Sequence, residues 1–380
     1  MNRKSEPDVF IVADNVLSPL GNGTKENFAQ LKKGVSAVRL HKNNEISDHA
    51  FSASIFNDNQ DIYTVSDRYT KFEQLLIASV EEAIAGREIN IRDKKTVLII
   101  SSTKGNISLL EREKNSPELR QRIALSTSAR LVGEHFGFQN TPVIVSNACI
   151  SGVLAIITGM RLLREGRFDQ AVICGADVVC RFVVSGFQSF QALSGERCKP
   201  FDKLRDGLNL GEGAATIVLS VNKKHKGKAK VKGGSVSNDA NHISGPSRTG
   251  NELAFAVNRA MTDAKVQPAE IGFVSAHGTA TPYNDEMEAK AIALSGLSDT
   301  PVNSLKGYYG HTLGAAGLIE SVISIESLRQ GVILPSLGYH QHGVSSDINI
   351  CSSVVDLETN NFVKTASGFG GCNAAAVFGK

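Results

Sequence analysis

The 380-residue sequence predicts an α/β protein built from two copies of one unit. Three observations predict it. Short apolar runs alternate with amphipathic stretches, as strands do with the helices that cover them. Two segments match Gly to Gly over equal length: Gly152–Gly166, ending Leu-Arg-Glu-Gly, and Gly317–Gly331, ending Leu-Arg-Gln-Gly. The chain also holds 35 Gly against 10 Pro and no Trp. Glycines without a repeat period fit many tight strand-to-helix turns, not collagen or a flexible linker.

In chain order, the apolar run Val9–Ala13 predicts a strand and the amphipathic Thr24–Lys33 and Thr70–Ala85 predict helices. Strands follow at Val97–Ser101 and Val143–Val145, a helix at Ser151–Glu165, and strands at Gln170–Cys174 and Ala215–Leu219. The remainder predicts helix Glu252–Lys265, strand Phe273–Ala276, helices Glu286–Leu294 and Ala315–Arg329, and strand Ala374–Phe378. The helix Phe72–Ala85 leading to Val97–Ser101 has a counterpart in Leu253–Lys265 leading to Phe273–Ala276. Two matches in the same order favour duplication over chance. The join falls near the Lys-rich Lys223–Lys232, dividing residues 1–228 from 229–380. Alternating Lys226, Lys228, Lys230 and Lys232 read as the wet face of a strand, with edge protection and attraction of an acidic partner as further uses. The stretch lacks interleaved aromatics, which argues against nucleic acid.

Charged residues are 21% and hydrophobic ones 41%, with a net charge of only +3. That is globular composition with no global field for nucleic acid or membrane surface. No apolar run reaches bilayer length, and the N-terminus carries no signal-peptide pattern. Six scattered cysteines, without CxxC pairs or His at zinc-ligand spacing, fit a reducing cytoplasm and no metal site.

Four segments carry chemistry. The strand ending at Val145 runs through small residues into Cys149 and then a helix, a nucleophile-elbow layout. A helix N-terminus favours thiolate and offers N–H groups to an oxyanion. His277 follows an apolar strand and shares its turn with Thr279 and Thr281; Asp285 and Glu288 follow and could cap or salt-bridge the next helix. Lys306 and His311 precede the helix that duplicates the one after Cys149, so pseudo-twofold packing would bring His311 to Cys149 and pair Lys306 with Glu320. Gly368-Phe369-Gly370-Gly371 specifies a backbone that a Cβ would obstruct, able to offer an N–H and let Phe369 swing. Taken singly, each has a plainer reading: a buried Cys, a structural His, ordinary helix capping, a glycine hairpin.

Together, A-C-x-S-G, H-G-T-x-T, K-x-x-x-G-H-x-x-G-A-A-G and G-F-G-G resemble the β-ketoacyl-acyl carrier protein (ACP) synthase family of the thiolase superfamily, in its elongating branch. The likeness begins at Ser18–Gly23 and runs through Gly186–Ser194 and Pro200–Gly213 to Gly371. It implies a thiolase fold: duplicated βαβαβαββ halves in five layers, α-β-α-β-α. It implies that Cys149 takes an acyl group from ACP, with the N–H groups of Cys149 and Phe369 as oxyanion hole. His277 and His311 would then stabilise the enolate formed when malonyl-ACP loses carbon dioxide. Lys306 with Glu320 would order the site, Thr279 and Thr281 would contact the phosphopantetheine arm, and Phe369 would gate the acyl pocket. No bound cofactor is implied, only ACP as carrier. A homodimer or heterodimer is implied, through strands near Gln170–Cys174.

Ser367 stands where the family carries a first Phe, and Ile150, Tyr308 and Tyr309 also depart from its pattern. These changes point to a reshaped pocket and a specialised polyketide pathway, such as an aryl polyene type. Two other readings compete. One is a non-catalytic chain-length partner, which would ordinarily lack the nucleophile; the other is a degradative thiolase acting on CoA, disfavoured by the second His.

Overall fold

The computed structural model describes residues 6–57, 66, 68–225, 229–240 and 244–380. The first half contributes β1 (Val9–Leu17), α1 (Lys71–Ile84), β2 (Thr96–Ser101), α2 (Leu125–Phe136), β3 (Val143–Val145), α3 (Ser151–Arg164), β4 (Gln170–Asp177) and β5 (Gly213–Ser220). The second contributes β6 (Lys230–Asn238), α4 (Asn251–Ala264), β7 (Phe273–Ser275), α5 (Pro282–Leu294), β8 (Val302–Asn303), α6 (Ala316–Gln330), β9 (Asn361–Gly368) and β10 (Cys372–Gly379). Each half therefore reads βαβαβαββ. Strand order repeats too: β3-β2-β4-β5-β1 in one half, β8-β7-β9-β10-β6 in the other. The halves join where Val9 and Phe10 of β1 pair with Val231 and Lys230 of β6.

Period-2 alternation sorts the strand side chains into layers. In β1, Phe10 and Val12 face an outer core with Leu75 and Leu76 of α1, while Val9 and Ile11 face inward. In β9 and β10, Val363 and Val377 face α4, while Phe362 and Phe378 face inward and stack on one another at 4.9 Å. Helices α3 and α6 fill the space between the two sheets, and α6 is buried from Ala316 to Leu328. The result is the expected five-layered α-β-α-β-α thiolase fold.

Most helix ends fall within a residue of expectation. The exception is α5, which starts four residues early because Pro282 suits a first turn whose N–H groups have no intrahelical partner. Strand β9 had no apolar signature, since Lys364 and Thr365 interrupt it. Three expectations need correction. Strand β6 lies between β1 and β10, so it protects no edge. Its Lys230 and Lys232 are half-buried, held by Asp8 at 3.4 Å and Asn361 at 2.8 Å; Lys226 and Lys228 lie outside the described residues. And β4 is flanked by β2 and β5, so Gln170–Cys174 cannot extend the sheet into a partner; the free edge of that half is β3.

Helices α3 and α6 cross at the residues the duplication pairs. A Cβ on Gly152 would lie 2.6 Å from the Leu318 backbone nitrogen, and one on Gly317 would lie 2.6 Å from that of Val153. Neither backbone can retreat without parting the two helix N-termini. Gly317→Ala is expected to cost about 1–3 kcal/mol or more, read as a lower urea midpoint at unchanged slope. Gly186→Ala, inside a helix where a Cβ meets nothing within 4 Å, should leave the midpoint in place or raise it. Equal midpoints for the two variants would show that the crossing tolerates separation.

Candidate active site

The glycine contact seats the N-termini of α3 and α6 side by side, and the chemistry gathers there. Strand β3 ends at Val145, and Ala148 adopts φ 43°, a left-handed conformation uncommon for a residue with a Cβ. This kink turns Cys149 into a cavity of about 430 Å³. Ser151 fixes the turn: its hydroxyl accepts from the Asn147 N–H at 2.8 Å and donates to the Ala148 carbonyl at 2.6 Å.

At the end of β7, His277 is held by its backbone. The N–H groups of His277 and Gly278 donate to the two oxygens of Glu288 at 2.8 and 2.7 Å, and Thr365 Oγ1 donates to the same carboxylate at 2.6 Å. Asp285 accepts from the N–H groups of Ala280 at 3.1 Å and Phe201 at 2.7 Å. Both acids are fully buried. They buttress the turn from beneath, which neither helix capping nor a surface ion pair describes. Burial pushes the Asp285 carboxyl up to about 7.

His311 comes from the other side, through the segment before α6. Its N–H donates to the Asn209 carbonyl, and the Gly314 N–H three residues on donates to Asp177 Oδ2, both at 2.6 Å. The Cys149 sulfur and one ring nitrogen from each of His277 and His311 lie within 4.8 Å of one another. The two rings meet edge to face, with centroids 5.1 Å apart. Nδ1 of His277 and both ring nitrogens of His311 are buried without a hydrogen-bond partner. Orphaned buried polar atoms beside a thiol point to a ligand that supplies their bonds.

Behind this floor, Lys306 pairs with Glu320 Oε1 and donates to the His277 carbonyl at 3.0 Å. Lys364 pairs with Glu320 Oε2 at 2.7 Å. All three side chains are buried. Burial, then the charge of Lys306, holds both histidines well below their ordinary pKa, so both rings are neutral at pH 7. Burial pushes the Cys149 thiol up to about 12, with Lys306 and Lys104 opposing. The resting group is therefore a thiol, against the expectation of a thiolate at the helix terminus: desolvation outweighs that field here. Cys149, His277 and His311 also amount to three possible metal donors drawn from remote segments. The two lysines sharing one carboxylate leave a local positive charge that opposes a divalent cation.

Three phenylalanines form one part of the cavity wall. Phe369 lies against Phe187 and Phe190, with ring centroids 5.8 and 5.3 Å apart, and Thr279 and Thr281 line the mouth with their hydroxyls 2.9 Å apart. Gly368 presses the loop onto the nucleophile: a Cβ there would sit 2.9 Å from the Cys149 nitrogen. Of the four departures from the family pattern, only Ser367 borders the cavity, its hydroxyl donating to Asn373 Oδ1 at 2.7 Å. Ile150, Tyr308 and Tyr309 are buried in the inner core instead, since the helix start and the turn after Lys306 point them away. Sequence reasoning missed Lys364, Asp177 and Phe190. A lysine inside a strand is the one signal that could have flagged Lys364.

Residues 6–225 match the family model of the β-ketoacyl synthase N-terminal domain, and residues 228–340 that of the C-terminal domain. A relative from Staphylococcus aureus (strain N315), 3-oxoacyl-[acyl-carrier-protein] synthase 2, is 26% identical over 98% of each chain. Among solved structures, a β-ketoacyl synthase from Burkholderia phymatum is 26% identical with a TM-score of 0.88, covering 98% of this chain and 99% of its own. A ketosynthase in complex with its chain length factor from Xenorhabdus doucetiae is 25% identical with a TM-score of 0.85, covering 100% of this chain and 99% of its own.

The protonation state of Cys149 can be read by alkylation. With a thiol pushed up to about 12, iodoacetamide labelling of the Cys149 peptide should accelerate about tenfold per pH unit across the neutral and mildly alkaline range. A rate that levels off below about pH 8 would mean the helix terminus outweighs burial.

Proposed function

We propose that this chain, which belongs to the β-ketoacyl synthase family, is a 3-oxoacyl-ACP synthase acting by decarboxylative Claisen condensation. The observation that carries the reading is one thiol and two neutral histidines, from three separate segments, converging within 4.8 Å on the floor of an aromatic-lined cavity. In the first half-reaction the Cys149 sulfur attacks an acyl-ACP thioester. The C–S bond to the carrier breaks, the carrier thiol takes the proton, and the acyl group stays on Cys149. Neutral imidazole beside the sulfur offers a lone pair for the thiol proton during attack.

In the second half-reaction malonyl-ACP fills the vacated arm site, its phosphopantetheine passing Thr279 and Thr281. Its terminal C–C bond breaks, carbon dioxide leaves, and the electron pair passes to an enolate. N–H groups of His277 and His311 hydrogen-bond the enolate oxygen. The carbanion attacks the acyl carbon, the Cys149 sulfur leaves, and one proton from water restores the thiol. The N–H groups of Cys149 and Phe369 hold the oxyanion formed in each attack. No bound cofactor enters these steps.

The acyl group we assign is that of a specialised polyketide pathway, with a rigid conjugated chain of aryl polyene type. Three phenyl rings in contact at the cavity and Ser367 in place of a family Phe support a flat, apolar guest. ACP is the expected partner, with a homodimer or a heterodimer with a ketosynthase-like chain as the assembly. Among the described residues no helix is long and apolar enough to cross a membrane, in keeping with a cytoplasmic role. A chain-length partner is the second reading, favoured by neighbours solved with chain length factors. Retention of Cys149, His277, His311 and Lys306 supports catalysis over it.

Intact-mass spectrometry separates these readings. The protein should gain one acyl group from acyl-ACP and lose it when malonyl-ACP is added; Cys149→Ala should gain none. An adduct that survives Cys149→Ala, or appears only with a second synthase subunit carrying it, would overturn the catalytic assignment. For the acyl class, Phe190→Ala should cut the preference for a conjugated over a saturated acyl-ACP about 2- to 10-fold in kcat/KM, the worth of one aromatic contact. An unchanged ratio would remove the aromatic wall from specificity.

A further inference from the structure

Lys364 is a buried cation inside β9, facing Ser275 of β7 across a parallel pairing. An uncompensated ammonium there would be strongly destabilising, yet its Nζ has three polar partners. Nζ donates to the carbonyls of Ser275 at 3.1 Å and Ala276 at 3.0 Å, and pairs with Glu320 Oε2 at 2.7 Å. Lys306, on the other oxygen of Glu320, donates to the carbonyl of His277. Three consecutive carbonyls, at 275, 276 and 277, are thus anchored by two ammonium groups that share one carboxylate. On the opposite side, Glu288 and Asp285 anchor the N–H groups of residues 277, 278 and 280. The backbone of the His277 turn is clamped by charge from both sides.

We infer that Lys364 is a positioning residue, fixing the His277 turn and completing a lysine–glutamate–lysine triad behind the histidine pair. The inference rests on the condensing reading, in which neutral rings serve the enolate. The titratable groups around the rings are Cys149 at the head of α3, Lys306 and Glu320 before and on α6, Lys364 on β9, and Asp285 and Glu288 on α5. Asp177 on β4 reaches the loop after His311. Of these, the two lysines are the cations that oppose protonation of both rings. Loss of the Lys364 charge therefore raises the ring pKa values, and the acid limb of the rate moves to higher pH.

The test combines ring titration by NMR with the pH profile of malonyl-ACP decarboxylation, on the full chain. In the wild type both rings should remain neutral well below pH 6.5, the ordinary value for histidine. Lys364→Met should raise a ring pKa by about one unit, a tenfold change in proton affinity, and slow decarboxylation about 10- to 100-fold through a displaced turn. Lys364→Arg, which keeps the charge, should restore the acid limb. Wild-type rings titrating near pH 6.5 would overturn the inference without any variant, as would a folded Lys364→Met or Lys364→Gln with unmoved ring titration. Shifted rings in a protein whose wild type never decarboxylates malonyl-ACP would keep the triad and sink the condensing reading.

Discussion

The crossing of α3 and α6 governs the rest of the molecule. Gly152 and Gly317 let two helix backbones approach to a distance that any side chain would forbid, and this seats Cys149 within reach of His311. Close-packed interiors do not deform gradually, so the approach either exists in full or the site is open. The five layers follow from it: each central helix must bury against both sheets, and the two sheets must then present their inner faces to one another. Hence the rows of inward Ile and Phe on β1, β4, β9 and β10.

Charge placement follows the same logic. The described floor of the site buries two lysines, three carboxyl groups and two imidazoles. Such a set is tolerable only because nearly every charged atom is spent on a partner, and the partners are mostly the backbone of the catalytic turns. Glu288 and Asp285 hold N–H groups; Lys306 and Lys364 hold carbonyls. Among the groups left without a hydrogen bond are three ring nitrogens of His277 and His311. Their place beside the Cys149 sulfur, on the wall of the cavity, is what marks those atoms as the functional ones.

Much of this was legible in the sequence, in a graded way. Helix positions and the duplication emerged from periodicity, because both central helices repeat Gly to Gly with matched apolar turns. The convergence of Cys149 and His311 followed from the duplication alone. Their electrostatics did not: a Cys at a helix start looks like a thiolate until one knows how completely the cavity excludes water. Lys364 was invisible for a related reason. Its acceptors are two carbonyls on β7 and one carboxylate on α6, and parallel pairing between β7 and β9 is a long-range fact that no local pattern encodes. Tyr308 and Tyr309 misled in the opposite sense, since departures from a family pattern carry no information about which way a side chain points.

Duplication also poses a question that the structure answers: why does the second copy not form a second site? The equivalence of Gly152 and Gly317 sets Gly314 opposite Cys149. Gly314 carries no nucleophile, and its N–H is already bound, at 2.6 Å, by the carboxyl of Asp177. That carboxyl also accepts from the N–H groups of Thr103 and Lys104 and from Ser102 Oγ at 2.7 Å. Asp177 ends β4 as Gly368 ends β9, and each touches the residue at the head of the opposing central helix element. In one half that strand end is a glycine, packed so closely on the Cys149 backbone that a Cβ would lie 2.9 Å from its nitrogen. In the other it is an acid, which places its own oxygen at the helix start. The helix start of the second copy is thus occupied from within by a carboxyl group.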